Sequence, residues 1–315
     1  MLKKEFFSIL SFYAISPIHA GSGASVATVD LPIQRERHTG YPIVQASGVK
    51  GAMRDHFRNF YQDQGQDKQL EEVINIVFGS DTQDGWEKDK ENLPGAISVS
   101  DAKILAFPMR SNVVPFVWVT CPTVLERYKK DLEYLGIEKD FDLQLKSKNS
   151  ALILTDSDDV FNKGDSVLLE EALVKIGEKI DNHNNQKNKI VPFIEENFPE
   201  LKRLLFISDE MFDYCVTCCT EIQTNIKIDS EKGTAKEGSL RYQEFLPADS
   251  LLYSLVCFSN PTRDENSYSA EIIKGYIQDT IKDFLQIGGD VTLGKGICKI
   301  QWINIDKEQE EGGGK

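Results

Sequence analysis

SLLYSLVCFS (residues 250–259), a helix-patterned stretch over 269–286, GGDVTLGKG (288–296) and ICKIQWINI (297–305) follow one another near the end of the chain, and their order decides the fold. The two flanking runs are rich in β-branched and aromatic residues, as strands are. The stretch between them repeats apolar residues at helical spacing. A similar unit opens the chain. EFFSILSFYAI (5–15) reads as a strand, a helix is expected from about Ser47 to Tyr61, and AISVSDAKILAF (96–107) returns to strand. The helix would bury Val49, Met53, Phe57 and Phe60, with Lys50, Arg54 and Arg58 at four-residue steps on another side. Two strand–helix–strand units suit an α+β, ferredoxin-like sheet with helices on one face and the middle of the chain inserted into it.

Between these units, a second amphipathic helix is expected over 68–78, and Gly79–Leu93 reads as an acidic loop. Residues 129–200 are charged and poor in glycine, which predicts a helical insertion with a mobile stretch at NHNNQKNK (182–189). CTEIQTNIKID (219–229), EKGTAKEG (231–238) and SLRYQEFLP (239–247) read as a β-hairpin too polar for a central sheet, so it should project. The expected organisation is a core of residues 1–128 and 246–306 with a working loop at 16–46, an insertion at 129–218, a hairpin at 219–245 and a disordered tail at 307–315.

The 315 residues carry a net charge of −14. This argues against a partner bound by bulk electrostatics alone. Residues 1–60, however, hold seven Lys/Arg against four Asp/Glu, a balance of +3 that leaves −17 for the rest. Three of the four histidines, His19, His38 and His56, lie in the same basic segment. Lys3 and Lys4 before FFSILSFYAI imitate a secretory leader, but Glu5 and the polar breaks at Ser8, Ser11 and Tyr13 point to a half-buried strand. No apolar run reaches membrane-spanning length, and a cytoplasmic protein without membrane partners is expected. Cys215, Cys218 and Cys219 include a Cys-x-x-Cys with no second pair at zinc spacing, so reduced thiols are expected.

Three features carry chemistry. Ser47-Gly48 opens a helix whose free N–H groups and dipole suit a phosphate, with Lys50 and Arg54 adding charge; an ordinary N-cap with a solvated basic face fits the same residues. GDVTLGKG nearly matches a nucleotide-binding phosphate loop, but Gly296 stands where Ser or Thr should bind magnesium, and the loop runs into a strand. Its glycines bring backbone close either to a sugar-phosphate chain or to nothing, as a flexible connector. Asp30 has no carboxylate neighbour in sequence and suits a turn cap or a pair with Arg35 or Arg37. His19 and His38 suit acid–base work without metal-ligand spacing.

HAGSG (19–23), VDLPIQRERHTGYP (29–42), SGVKGAMR (47–54), the hairpin segment GTAKEGSLRYQEFLP (233–247) and GGDVTLGKG (288–296) resemble the RAMP proteins of CRISPR defence. Within that superfamily, they are similar to the multi-copy backbone subunit of the type III-B (Cmr) effector complex. The resemblance implies a modified RNA-recognition-motif palm, a helical insertion and a β-hairpin thumb. Several copies would stack along one crRNA beside other Cmr subunits. It assigns contacts with the guide backbone to Ser47, Lys50, Gly51, Arg54, Gly294, Lys295 and Gly296. It further implies that the thumb displaces one base pair per subunit and that single-stranded target RNA is cut there by attack of a 2′-hydroxyl on phosphorus. Asp30 falls at the catalytic aspartate, as base or as holder of a divalent metal, Mg or Mn, with His19 and Glu244 as assisting residues. A non-catalytic scaffold of the same architecture and a stand-alone endonuclease that processes precursor guide RNA are the other readings.

Overall fold

A computed structural model of the chain describes residues 6–25, 28–61, 70–80, 94–157, 159–180, 188–262 and 268–304. The leader-like run forms β1 (Phe7–Ala14), whose side chains are almost all buried. Its neighbours are β12 (Leu251–Phe258) and β14 (Ile297–Ile303), both antiparallel to it. A run with strand neighbours on both edges is a core strand.

The first half of the chain adds β2 (Ile43–Val44), α1 (Ala46–Phe60), α2 (Leu70–Phe78), β3 (Ile97–Val99) and β4 (Ala102–Arg110). The second opens with β5 (Phe116–Thr120), α3 (Pro122–Tyr134), β6 (Ser150–Asp156), β7 (Ser166–Leu169) and β8 (Ala172–Lys179). Next come α4 (Ile190–Asn197), β9 (Arg203–Phe206), α5 (Asp209–Cys218), β10 (Glu221–Asn225) and β11 (Arg241–Phe245). After β12, the chain forms α6 (Ala270–Thr280), β13 (Phe284–Gln286) and β14. One sheet runs β13-β14-β1-β12-β4-β5-β9-β6-β8-β7, with β2 on β4 and β3 on β12. The molecule is thus a mixed α+β fold built on one large sheet.

Val49, Met53 and Phe57 recur every four residues and turn one side of α1 into the core, beside α2, α6 and β13. Phe60 departs from the expected apolar stripe and is 54% exposed. The helix expected through residue 286 ends at Thr280, because Phe284–Gln286 pair with Lys299–Ile297 at the sheet edge.

The insertion differs most from expectation. Residues 129–218 contribute β6, β7, β8 and β9 as well as helices, and these strands continue the main sheet instead of forming a helical body. SALILTD is buried at every position, as a central strand is. The hairpin β10–β11 stands apart as its own two-stranded sheet, with Ile222, Ile226, Ile228, Leu240 and Tyr242 exposed. Residues 307–315, most of 182–189 and of Gly79–Leu93 lie outside the described residues.

Candidate functional site

The loop over residues 16–46 wraps the root of the hairpin. Ile18 bridges Leu246, and Leu31 bridges Gln243. The Tyr242 carbonyl accepts from both Asp30 N and Leu31 N at 3.1 Å. In return, Tyr242 N donates to Asp30 Oδ2 at 2.7 Å. Asp30 is therefore fixed against β11, half-exposed, with only one carboxylate oxygen engaged. The pairing with Arg35 or Arg37 does not form.

Arg35 is held elsewhere. Its Nη2 donates to Glu244 Oε1 at 2.5 Å, and its Nη1 donates to the Gly40 and Val216 carbonyls at 2.8 and 2.9 Å. Glu244 Oε1 also accepts from Thr220 Oγ1 at 2.8 Å, while Oε2 accepts from Ile33 N at 3.0 Å. Buried and fully engaged, Glu244 ties the loop, α5's C-terminal end and the hairpin into one clasp. His19 reaches the same place from the other side, with Nδ1 2.8 Å from the Glu244 carbonyl. A carbonyl only accepts, so Nδ1 carries the proton, and in the neutral form of the ring the lone pair lies on Nε2. His38 sits apart from this clasp, beside Arg127, which also grips Glu36.

The glycine loop closes against the same backbone. Gly289 N donates to the His19 carbonyl at 2.9 Å. A side chain on Gly288 (φ +83°) would stand 2.4 Å from that carbonyl oxygen, and one on Gly296 (φ +74°) 1.9 Å from the Ile287 oxygen. Two of the glycines thus serve close approach within the protein. Gly294 faces open space. Lys295 Nζ lies 4.7 Å over the Phe245 ring, and Asp290 Oδ2 accepts from Gln243 Nε2 at 2.5 Å.

At the start of α1, the N–H groups are less free than the sequence suggests. Ala46 N donates to Asp101 Oδ1 at 2.7 Å, and Gly48 N donates to the Gln45 carbonyl at 2.8 Å. Gln45, not Ser47, is the N-cap. Lys50 Nζ donates to the Ile97 carbonyl at 3.1 Å, Arg54 Nη2 to Asn75 Oδ1 at 3.2 Å, and Arg58 Nε to Glu71 Oε1 at 3.0 Å. The cationic stripe therefore faces α2 and β3, and burial together with Arg54 lowers the Lys50 pKa. A groove of about 430 Å³ brings Ser47, Gly48 and Gly51 together with Gly288 and Val291, residues far apart in sequence.

Among the described residues, no three His, Cys, Asp or Glu side chains form a metal site. All six cysteines are free. Among the described residues, no helix is long and apolar enough to cross a membrane. Sequence reasoning missed Tyr242, Arg35's true partner, Thr220 and Asp101. The one available sign was the alternation in RYQEFLP, which puts Tyr242 and Glu244 on one face of the strand.

The chain matches the RAMP superfamily over residues 11–299. It is 36% identical, over 93% of its length and 94% of the relative's, to the CRISPR system Cmr endoribonuclease Cmr4 of Pyrococcus furiosus. It is 27% identical to the CRISPR system CMR subunit Cmr4 of Saccharolobus solfataricus, over 92% of this chain and 94% of that protein. A crystal structure of oligomeric Cmr4 from Pyrococcus furiosus superposes with a TM-score of 0.66 at 28% identity, covering 96% of this chain and 99% of that one. The clasped loop, the hairpin, the glycine loop and these likenesses converge, and the chain belongs to the RAMP superfamily.

Proposed function

We propose that this chain is the backbone subunit of a type III-B CRISPR ribonucleoprotein, stacking in several copies along a crRNA and cutting complementary single-stranded RNA. The observation that carries the reading is Asp30, fixed by the hairpin root with one carboxylate oxygen free, in a chain 36% identical to a named Cmr endoribonuclease. The antiparallel order β14-β1-β12-β4 supports a ferredoxin-like palm, and the separate β10–β11 sheet supports a thumb at 219–245. Residues 129–218 then act as the insertion. The α1 groove and Gly294 offer the guide its path; Lys50 and Arg54 exchange protein oxygens for guide phosphates. Further copies of the chain, other Cmr subunits and the cytoplasm follow as partners and place.

In the reaction, the exposed apolar side chains of the thumb part a base pair and splay the target backbone. The 2′-oxygen, phosphorus and leaving 5′-oxygen then come into line, which alone lowers a barrier by several kcal/mol. Asp30 takes the 2′-proton as the 2′-oxygen bonds to phosphorus. The bond from phosphorus to the 5′-oxygen breaks, and that oxygen picks up a proton. The products are a 2′,3′-cyclic phosphate and a 5′-hydroxyl. His19 assists the proton transfers through Nε2, a role supported by its Nδ1 contact with the Glu244 carbonyl on the strand that holds Asp30. Glu244, with both oxygens engaged, acts as a positioning residue. One free carboxylate oxygen, together with substrate phosphates, is a donor set that suits Mg or Mn; it does not suit a resident ion held by protein alone. Such an ion, when bound, supplies neutralisation of charge at the phosphorus.

The Asp30–Tyr242 bond equally favours a scaffold in which Asp30 only braces the loop. Asp30→Asn separates the two, because it keeps an acceptor for Tyr242 N–H and removes the base. Complexes assembled on guide RNA with Asp30→Asn or Asp30→Ala should bind target normally and cut it about 10²–10⁴-fold more slowly at every subunit site. Unchanged cleavage by Asp30→Asn would sink the nuclease assignment and leave the scaffold.

A further inference from the structure

Two residues of β11 hold the loop that carries Asp30. Tyr242 bonds Asp30 itself, and Glu244 N donates to the Leu31 carbonyl at 3.0 Å. Gln243 lies between them, and the alternation of a strand turns its side chain away from theirs. There it is 8% exposed and meets the glycine loop. Its Nε2 donates to Asp290 Oδ2 at 2.5 Å, and its Oε1 accepts from Asn225 Nδ2 of β10 at 3.1 Å. A carboxylate only accepts, so the amide nitrogen must point to Asp290, which leaves the oxygen for Asn225.

Asp290 is also the pivot of the glycine loop. It stands at φ +58°, a left-handed conformation that aspartate adopts more readily than most side chains. Its carbonyl accepts from Leu293 N at 2.9 Å and from Lys295 N at 3.3 Å. The same loop touches the hairpin root again through Lys295, which lies over the Phe245 ring, and that ring packs on His19 at 5.4 Å. Among the described residues, β10 and β11 form a sheet of their own, and a two-stranded hairpin has little stability alone. Its orientation must come from its root. An apolar side chain at 243 would fill the space, but a buried hydrogen bond with fixed donor and acceptor specifies one arrangement.

We infer that Gln243 and Asp290 are positioning residues for cleavage. Their bond fixes the hairpin root, and Asp30 with it, against the loop that faces the guide, so the acid meets the target strand at a set distance from the guide. This rests on the guide-bound nuclease reading above. Neither side chain touches the reacting atoms. A shift of about 1 Å in how a reacting group is presented can cost about 10²-fold in rate. Guide affinity does not depend on the bond, because the cations and N–H groups of the α1 groove are untouched by it.

Full-length protein assembled on guide RNA tests the pair by single-turnover cleavage across target concentrations. Gln243→Glu sets carboxylate against carboxylate and should slow cleavage at saturating target about 10–100-fold. Guide affinity and the half-saturating target concentration should not change. Gln243→Glu with Asp290→Asn restores the bond with its polarity reversed, the new amide donating to the new carboxylate, and should recover most of the rate. Gln243→Leu, which fills the space without repulsion, should also slow cleavage. A normal rate in Gln243→Leu overturns the inference, even where Gln243→Glu fails to fold. So does a loss in Gln243→Glu that the double variant does not recover. A guide affinity that falls in step with the rate overturns it too, since the pair would then belong to guide binding. Wild-type complexes that hold guide and target but never cut overturn the parent reading instead.

Discussion

At the hairpin root, the charged groups hold partners that the fold cannot release, whereas at the mouth of the α1 groove they hold partners that a ligand can replace. Glu244 is buried and takes three donors, two from the loop and one from the end of α5. Lys50 and Arg54 rest on a carbonyl and an amide oxygen, groups that water or a phosphate can imitate. One small surface divides its labour in this way. The clasp sets where Asp30 stands, and the groove stays exchangeable so that an extended anion can enter.

If that division holds, Glu244→Ala should do the most damage. It leaves Arg35 without its carboxylate and Ile33 N and Thr220 without an acceptor, and should cost about 3–5 kcal/mol of stability. Urea unfolding measures it, and a loss below about 1 kcal/mol would mean that the clasp is not a strut. Next is Gly296→Ala, whose new side chain would collide with the Ile287 oxygen at a left-handed φ. A loss of about 2–3 kcal/mol is expected in the same assay. A neutral result would show that the glycine loop is as exchangeable as the groove.

On the groove side, Lys50→Ala with Arg54→Ala should change stability little and weaken guide binding. The slope of log affinity against log salt should fall by about 2, one for each phosphate that is no longer neutralised. An unchanged slope would remove these cations from the interface. The smallest effect belongs to Asp101→Ala, which frees the Ala46 N–H at the helix start. About 0.5–1 kcal/mol of stability should be lost with the cap, while guide affinity rises a few-fold as a competing anion disappears. Reduced affinity would show that Asp101 orders the helix for the guide instead of competing with it.

Much of this division can be read from residue order. β1, α1, β12 and β14 follow from period-two and period-3.6 patterns, and the hairpin follows from its polar, glycine-bounded turn. The strands of the insertion stay hidden because charge averaged over ninety residues masks a short run such as SALILTD. At the site, the motifs find Asp30, His19 and Glu244, but not who holds whom. Arg35 is five residues from Asp30 and more than two hundred from Glu244, yet it pairs with Glu244. Sequence proximity is a poor guide to ion pairs where a loop folds back on a distant strand. Phe60 shows the same limit: its helical spacing assigns it to the core, but it lies at the surface beside Phe284, where the edge strand β13 begins.

Asp30 is held by the N–H and the carbonyl side of one residue, Tyr242, and by no side chain of the hairpin. Apart from Glu244, whose carboxylate clasps the loop, and Gln243, which braces β11 against the glycine loop, its placement does not depend on what the hairpin's side chains become. Other substitutions along β10 and β11 can drift, changing the surface offered to nucleic acid, without unseating the acid. A proline at 242, or a shift of strand register, would erase the contact with Tyr242. A lineage is thus free to re-tune what the hairpin touches while inheriting the placement of Asp30 unchanged.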